Sequence, residues 1–213
     1  KMALVLDKAA EKPAVRLFIE EADPTMERWY GRKVTVEEAK EITGIEDVSF
    51  INDLESRIDF IMTREDVDAI YFDTYRHQLE DMEDYNLVKA NEFARKYPGT
   101  RIKNCYPIIA EMRMQKDADE VNLIRDAIKL TDEGLQCVMR NLKPEMKEYQ
   151  AQADFEYSIK RNGADSVSFP TIAGSGINGT MLHYETNQDT CKDGTLLLLD
   201  LGAKYKGYCA DIT

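Results

Sequence analysis

The C-terminal stretch of the chain constrains its fold most, because it sets two acidic residues in apolar, strand-like sequence. Residues 196–213 read LLLLDLGAKYKGYCADIT, which predicts two strands joined by a polar turn. A hairpin folded about Tyr205 and Lys206 would set Asp200 directly opposite Asp211. Directly opposed residues have Cβ atoms about 4.5–5.5 Å apart, so two carboxylates in these positions repel each other.

Three arrangements could make such a pair of carboxylates tolerable. Both side chains could face water, the two could share a proton, or they could hold a divalent cation between them. Burial of an ionised carboxylate without a partner costs on the order of several kcal/mol, so an unpaired buried arrangement is excluded. The spacing alone leaves these three explanations open.

Length and composition predict a soluble globular protein. The chain has 213 residues, of which 43% are hydrophobic and 32% are charged, so it can bury one large core or two smaller ones. Its net charge of −12 argues against sequence-independent binding to nucleic acid, which requires basic residues on phosphates. Because the sequence contains no long apolar run and no secretory signal, we expect no membrane partner and a cytoplasmic location.

The cysteines and histidines limit the kinds of metal site that the chain could form. Four cysteines lie far apart without a C-x-x-C pair, so we expect free, buried thiols rather than a zinc knuckle. Only two histidines occur, His77 and His183. A metal site in this chain would therefore depend on carboxylates, and we interpret His77 as structural.

The first hundred residues alternate between strand and helix patterns, which predicts an α/β layer with a partly parallel sheet. Thr35 and Glu38 form a capping-box signature that opens a helix ending near Gly44. The other predicted elements are a hairpin of strands 4–6 and 15–19, strands 48–50 and 69–72, and helices 52–62 and 86–97.

The second half begins with helical sequence and ends with strands. Asp117 and Glu120 predict a helix start, Pro144 ends this helix, and residues 148–162 form a second one. The segment AGSGING lacks the G-K-[ST] ending of a phosphate-binding loop, so we predict a tight loop feeding a strand that carries His183. We place the domains at residues 1–105 and 106–213.

Both ends of the sequence read as strands already in progress. Lys1 leads directly into apolar residues, and Thr213 lies inside a strand-like stretch. We therefore expect the chain to be a fragment of a longer protein.

Two segments of the second half together resemble the pita-bread metallopeptidases, and most closely the Xaa-Pro aminopeptidases and Xaa-Pro dipeptidases. The family pattern is HY-x-x-N followed by D-x-G-x-x-Y-x-G-Y-x-x-D-x-T. Upstream, EMRMQKDADEVNLIRDAIKLTDEG resembles the start of the catalytic domain, and ERWYGRKVTVEEAKEITGIEDV resembles the N-terminal domain of aminopeptidase P. Every fixed position of the pattern is matched here, by His183, Tyr184, Asn187, Asp200, Gly202, Tyr205, Gly207, Tyr208, Asp211 and Thr213.

The resemblance implies an α/β N-terminal domain like that of creatinase and prolidase, followed by the first part of an α+β pita-bread catalytic domain. It implies metal-dependent hydrolysis of the peptide bond between an N-terminal residue and proline. Asp200 and Asp211 match the first two ligands of a two-metal centre, with Asp211 as a bridging ligand. His183 matches a histidine that contacts the substrate. Manganese is the expected metal, with zinc and cobalt as alternatives, and the expected partners are a proline-containing peptide and a second copy of the protein.

Relatives supply a further histidine and two glutamates downstream of the D-x-T motif, and the sequence stops at Thr213. We therefore expect these 213 residues to bind metal weakly and to lack peptidase activity. Three other interpretations remain: a dipeptidase, a non-catalytic pita-bread binding protein, and a stand-alone structural α/β protein. The retention of both Asp200 and Asp211 argues against the binding protein, and the apolar edge at residues 196–199 argues against the structural one.

Overall fold

The computed structural model describes residues 1–8, 12–64, 66–78 and 82–213. The chain forms two compact units, Lys1–Met112 and Arg113–Thr213, and the division falls inside a helix. The predicted domain limits of 1–105 and 106–213 stay a prediction. The boundary between the two compact units lies seven residues after the predicted limit.

The first unit contains two small sheets with helices between their strands. The first two strands form the predicted antiparallel hairpin, and the third lies parallel to the second; the fourth and fifth pair in parallel. The elements are β1 (Met2–Asp7), β2 (Ala14–Ile19), α1 (Pro24–Tyr30), α2 (Val36–Thr43), β3 (Asp47–Phe50), a 3₁₀ turn (Ile51–Asp53), α3 (Leu54–Arg64), β4 (Ala69–Phe72), α4 (Tyr85–Lys96), β5 (Arg101–Asn104) and α5 (Tyr106–Met114).

Helix α2 forms as its sequence predicts. The Glu38 amide donates to the Thr35 hydroxyl at 3.2 Å, and the Thr35 amide donates to the Glu38 carboxylate at 2.9 Å. Gly44 ends the helix with φ of 69°, a left-handed conformation that glycine adopts without steric cost. Helix α1 and strand β5 were not predicted, although Asp23 before Pro24 is a helix-start signal.

The core of this unit lies between β2 and helix α2. Leu17 and Ile19 of β2 are buried against Ala39 of the helix, with Val48 and Phe50 of β3 packed at the edge. Alternate strand residues thus fill one small apolar core, which agrees with the α/β layer read from the sequence.

The second unit packs two long helices against short antiparallel strands. The elements are α6 (Ala118–Asn141), α7 (Glu148–Arg161), β6 (Ser166–Val167), β7 (Ile172–Ser175), a 3₁₀ turn (Gly176–Thr180), β8 (Leu197–Asp200), β9 (Ala203–Tyr205) and β10 (Tyr208–Cys209). The strands form two sheets, one in the order β10-β9-β6 and one pairing β7 with β8. The core lies between the two helices and the chain from β8 to β9, with residues such as Phe155, Ile159, Leu201 and Ala203 almost fully buried.

All four cysteines are free, as predicted, but their burial differs from the prediction. Cys191 is buried, Cys105 and Cys137 are half-buried, and Cys209 is exposed because it lies on β10 at the edge of its sheet. The expectation of buried thiols is therefore met by Cys191, only partly met by Cys105 and Cys137, and wrong for Cys209. Among the described residues, none of the helices combines the length and the apolar character that a membrane crossing requires.

Helices α6 and α7 approach each other closely at Gly134. A methyl group at this position would lie 2.5 Å from Cδ2 of Phe155 and 2.7 Å from Cγ2 of Ile159. Phe155 is 0% exposed and Ile159 1% exposed, so neither ring nor branched side chain has space to move into. The contact between the two helices therefore requires glycine here.

We expect Gly134→Ala to lower the free energy of unfolding by about 1–3 kcal/mol, the usual cost of overpacking a core. The gain in helix propensity, about 1 kcal/mol, offsets only part of this cost. Urea unfolding followed by circular dichroism measures the change. Lys129→Ala, on the exposed side of the same helix, is the control and should change stability little. Equal or greater stability of Gly134→Ala would contradict the packing described.

Candidate metal centre

Strand β8 presents Asp200 on the face opposite the core. Leu197 and Leu199 pack against the core cluster, and Leu201, the next residue of the same alternation, is 1% exposed. Successive side chains of a strand point to opposite faces, so Leu198 and Asp200 lie on the other side. The strand is held in place by antiparallel pairing with β7, where Asp200 pairs with Ile172.

The terminal hairpin turns one residue later than the sequence analysis predicted. Its two turn residues are Lys206 and Gly207, with φ of 46° and 87°, and Tyr205 pairs with Tyr208. Two positive φ angles are typical of the type I′ turn, which fits the twist of a two-residue hairpin and favours glycine. The predicted turn at Tyr205 and Lys206 was therefore wrong, because it left Gly207 outside the turn.

This shift changes the partner of each aspartate but not its face. Leu201 pairs with Ile212, so the register sets Asp211 opposite Gly202 rather than opposite Asp200. Moving the centre of a hairpin by one residue moves its register by two, and side chains alternate with a period of two. Asp200 and Asp211 are therefore diagonal neighbours on one face, a relation with a typical separation of about 7–8 Å.

The diagonal arrangement bears on the three explanations that the spacing left open. A shared proton is favoured by carboxylates that lie directly opposite each other, and the diagonal register does not place Asp200 and Asp211 in that way. The distance instead suits cations placed between the two side chains, because paired metal ions lie about 3.5–4 Å apart in two-metal sites. Asp211 is exposed and Asp200 half-buried, so the site opens to solvent on one side.

The residues at this site leave an oxygen that a cation would satisfy. Among the described residues, Oδ1 of Asp200 is buried without a hydrogen-bond partner, and so is the hydroxyl of Ser168. The amide of Ser168 donates to the carbonyl of Gly202 at 2.8 Å, which sets this serine beside the strand pair. Buried carboxylate oxygens are normally paired with a donor or a metal, so Asp200 fits a divalent ion.

Gly202 allows the two strands to pass close to each other between the aspartates. A methyl group at Gly202 would lie 1.9 Å from the carbonyl oxygen of Ala210 and 3.1 Å from the hydroxyl of Ser168. At this point the amide of Ala203 donates to the hydroxyl of Thr131 on α6, at 2.9 Å. The strand pair is thus fixed to the helix where only glycine fits.

His183 lies in a turn, not in the strand that the sequence analysis predicted. The 3₁₀ turn Gly176–Thr180 follows β7 directly, and His183 comes after it in an exposed position. Met181 and Leu182, which suggested a strand, are 46% and 89% exposed and pack into no core. Among the described residues, no group of three or more His, Cys, Asp or Glu side chains is arranged to hold a metal ion.

The segment that carries His183 is anchored by Asn187. This residue is 2% exposed and has φ of 48°, a conformation that asparagine tolerates better than most residues. Its side-chain oxygen accepts from the Ala173 amide at 2.9 Å, and its nitrogen donates to the Thr171 carbonyl at 2.7 Å. The same nitrogen donates to the Gln152 side chain at 2.9 Å. The side chain of Asn187 thereby makes the hydrogen bonds to β7 that a neighbouring strand would make on the side away from β8.

A buried carboxylate, Glu148, provides a second anchor that the sequence analysis missed. Its Oε1 accepts from the Ser175 amide at 2.6 Å and the Asn178 side chain at 3.1 Å; its Oε2 accepts from the Tyr184 hydroxyl and the Asp189 amide, both at 2.8 Å. Burial raises the pKa of this carboxyl, but the four hydrogen bonds outweigh it and hold the pKa below its usual value.

A signal for Glu148 was present in the sequence. Ala151, Phe155 and Ile159 are buried on α7, and Glu148 precedes them at helical spacing on the same face. A charged residue on the buried face of a helix indicates a paired or hydrogen-bonded group.

Tyr208, a further residue of the family pattern, connects the hairpin to the start of α6. Its hydroxyl donates to Oε1 of Glu120 at 2.7 Å, and this hydrogen bond raises the pKa of Tyr208 above its usual value. The other oxygen of Glu120 accepts from the Asp117 amide at 2.8 Å in the predicted capping box. Tyr208 therefore contributes to the family pattern by holding the hairpin against the start of α6.

We expect Gly202→Ala to destabilise the chain by about 3 kcal/mol, the upper part of the range for overpacked sites, because the obstructing atom belongs to the backbone. Thermal unfolding measures the change. Gly99→Ala is the matched control, since a methyl group at Gly99 would meet open space. A stable variant that keeps the pairing of Leu201 with Ile212 by NMR would show that this close approach is not required.

Comparison with known proteins agrees with this geometry. Residues 122–213 match Metallopeptidase family M24, and residues 1–71 match the aminopeptidase P N-terminal domain. The Xaa-Pro aminopeptidase of Escherichia coli strain K12 is 31% identical over 201 residues, which cover 92% of this chain and 45% of that protein. The Xaa-Pro aminopeptidase of Haemophilus influenzae is 26% identical over 211 residues, covering 99% of this chain and 47% of that protein.

Solved structures show the same relationship. One assigned as an aminopeptidase P from Bacillus anthracis superimposes with a TM-score of 0.95 at 37% identity, covering 99% of this chain and 50% of that chain. Zinc-substituted aminopeptidase P of Escherichia coli in complex with product gives 0.85 at 30% identity, covering 99% of this chain and 48% of that chain.

These matches confirm the predicted fold class, an aminopeptidase P-type N-terminal domain followed by the first part of a pita-bread catalytic domain. The chain spans about half the length of the curated relatives it matches. Its two family matches and its neighbours in structure make residues 122–213 similar to the M24 metallopeptidases and residues 1–71 similar to the aminopeptidase P N-terminal domain.

Proposed function

We propose that this chain belongs to a metal-dependent Xaa-Pro aminopeptidase, which cleaves the peptide bond between an N-terminal residue and proline. The observation that carries the proposal is the diagonal pair of carboxylates, Asp200 and Asp211, on the solvent-open face of the strand pair. Its support is the similarity over almost the whole chain to proteins named Xaa-Pro aminopeptidase.

Asp200 and Asp211 would hold two divalent ions. Aspartate oxygens are ligands for hard cations, which favours manganese, with zinc or cobalt as alternatives. When bound at such a site, divalent ions lower the pKa of a water molecule and polarise a carbonyl group, the two effects that amide hydrolysis requires. The buried, unpaired Oδ1 of Asp200 supports this assignment among the described residues.

His183 would act on the substrate rather than on the metal ions. An imidazole N–H can donate a hydrogen bond to the oxygen on which negative charge develops as the amide carbon becomes tetrahedral, and such a contact strengthens in the transition state. The exposed position of His183 leaves its ring open to a peptide. The substrate in this proposal is a proline-containing peptide, and the enzyme is a cytoplasmic homodimer.

The 213 residues supply only part of the centre in this proposal. Two aspartates fill too few of the positions that an oxygen-ligated divalent ion requires. The remaining ligands, a histidine and two glutamates by resemblance to the family, would come from outside residues 1–213. By themselves, these residues would therefore bind metal weakly and hydrolyse no peptide.

We expect Asp200→Asn in the full-length protein to lower kcat/KM by more than the roughly 10–100-fold loss that substitutions around a metal site's ligands cause. The assay uses an Xaa-Pro-Yaa tripeptide with added manganese. Asp193→Asn, an exposed aspartate in the preceding loop, is the control and should retain activity. Full activity of Asp200→Asn would remove the basis of the proposal.

The same assay separates an aminopeptidase from a dipeptidase. We expect the full-length protein to cleave both an Xaa-Pro dipeptide and the longer tripeptide. Activity confined to the dipeptide would assign it as a prolidase instead, and no activity on either would favour a binding protein.

We expect isothermal titration of manganese into the 213-residue chain to give a dissociation constant weaker than about micromolar, since so few ligands are available. Asp211→Asn should abolish the heat that remains. Micromolar or tighter binding would contradict the view that these residues form only part of the centre.

A further inference from the structure

The carboxylate of Glu148 accepts hydrogen bonds from three different parts of the chain. It lies at the start of α7 and is 0% exposed. Its donors belong to the end of β7 (Ser175), to the 3₁₀ turn (Asn178), and to the segment after this turn (Tyr184 and Asp189). One side chain thus holds the strand, the turn and the segment carrying His183 together.

The number and type of these donors require a carboxylate. Each oxygen of Glu148 accepts two hydrogen bonds, and the donors are two backbone amides, one side-chain amide and one phenol. A glutamine would turn an NH₂ group toward at least one backbone amide, which cannot accept a hydrogen bond. A buried donor left unpaired in this way is costly, so the site selects glutamate over its isostere.

The segment 181–190 depends on such anchors because it contains no helix or regular strand. Thr190 forms a single isolated bridge with Lys147, and Asn187 holds the middle of the segment against β7. The hydroxyl of Tyr184, the residue directly after His183, donates to Glu148 at 2.8 Å and accepts from the Asn178 side chain at 3.0 Å. Because Asn178 also donates to Glu148, this carboxylate holds both partners of the residue next to His183.

The charged groups around Glu148 do not compete for this role. Asp189 turns its carboxylate to the Thr190 amide and, at 3.4 Å, to the Asn178 side chain. Cys191 lies close enough that the negative charges of Glu148 and Asp189 contribute to raising its pKa, after burial, which is the largest cause. The carboxylate of Glu148 is thus stabilised by uncharged donors rather than by a cation.

We propose that Glu148 is a positioning residue for His183, which it holds in place through Tyr184, Asn178 and the end of β7. This inference extends the proposed function, since it names what fixes the histidine that would contact the substrate. Glu148 itself, buried below the segment, touches no substrate.

The chain offers a clean spectroscopic test, because it contains only two histidines, His77 and His183. Histidine-selective isotope labelling of the 213-residue chain gives one set of ring signals for each, and His77→Gln assigns them. Amide hydrogen exchange at Ala173 provides a second readout. This amide donates to Asn187 and not to Glu148, so a loss of its protection while the amides of α6 stay protected reports movement of the anchored segment.

We expect Glu148→Gln to broaden or shift the His183 signals and to raise the exchange rate of the Ala173 amide at least about tenfold. Tyr184→Phe removes one of the four donors to Glu148 and the oxygen that accepts from Asn178, so its effect should have the same direction and a smaller size, about two- to fivefold. Asp154→Asn is the matched control: this half-buried carboxylate lies on the same helix, and among the described residues no side-chain hydrogen bond joins it to the segment 181–190. It should leave the His183 signals unchanged.

Unchanged His183 signals and Ala173 exchange in folded Glu148→Gln would overturn the inference. Should Glu148→Gln not fold, Tyr184→Phe decides in the same way, because it removes one hydroxyl and leaves the carboxylate with its other three donors. Protected amides in α6 show that a variant is folded. Since neither readout requires peptide hydrolysis, the result stands apart from the success or failure of the proposed function.

Discussion

The strand pair that carries Asp200 and Asp211 depends on the close passage of two backbones at Gly202. On one face, Leu201 and Ala203 are buried against the helices, and this burial fixes which way every neighbouring side chain points. The absence of a side chain at Gly202 lets the carbonyl oxygen of Ala210 approach this strand closely, where a methyl group would meet it at 1.9 Å. Core packing and the candidate metal site are therefore two faces of one short strand pair, and neither can shift without the other.

The sequence pattern placed the two aspartates opposite each other on one face, and the observed register shifts their pairing by two residues, which preserves the face by alternation. The alternation of side chains between the two faces of a strand is a local property, so it could be inferred from the sequence alone. The turn could not be located to one residue, because Tyr205, Lys206 and Gly207 all belong to turn-like sequence. The positive φ at both Lys206 and Gly207 decided between the possible turns. The error left both carboxylates on one face, because a register shift of two preserves the face.

The residues that hold the site in place were harder to predict from the sequence than the two aspartates. The partners of Glu148 lie 27 to 41 residues further along the chain, so no local pattern connects them. His183 was assigned to a strand because apolar residues precede it, yet Met181 and Leu182 are exposed and the segment is held by side-chain hydrogen bonds instead. Periodicity reports burial along one element, whereas such anchors depend on the tertiary arrangement of several.

The carboxylate of Glu120 serves two elements at once. One of its oxygens accepts from Asp117 at the first turn of α6, and the other accepts from Tyr208 on β10, a residue 88 positions away. The side chain of Glu120 therefore joins the first turn of α6 to strand β10. Fraying of the first turn of α6 would remove a hydrogen bond that holds β10, the strand that precedes Asp211.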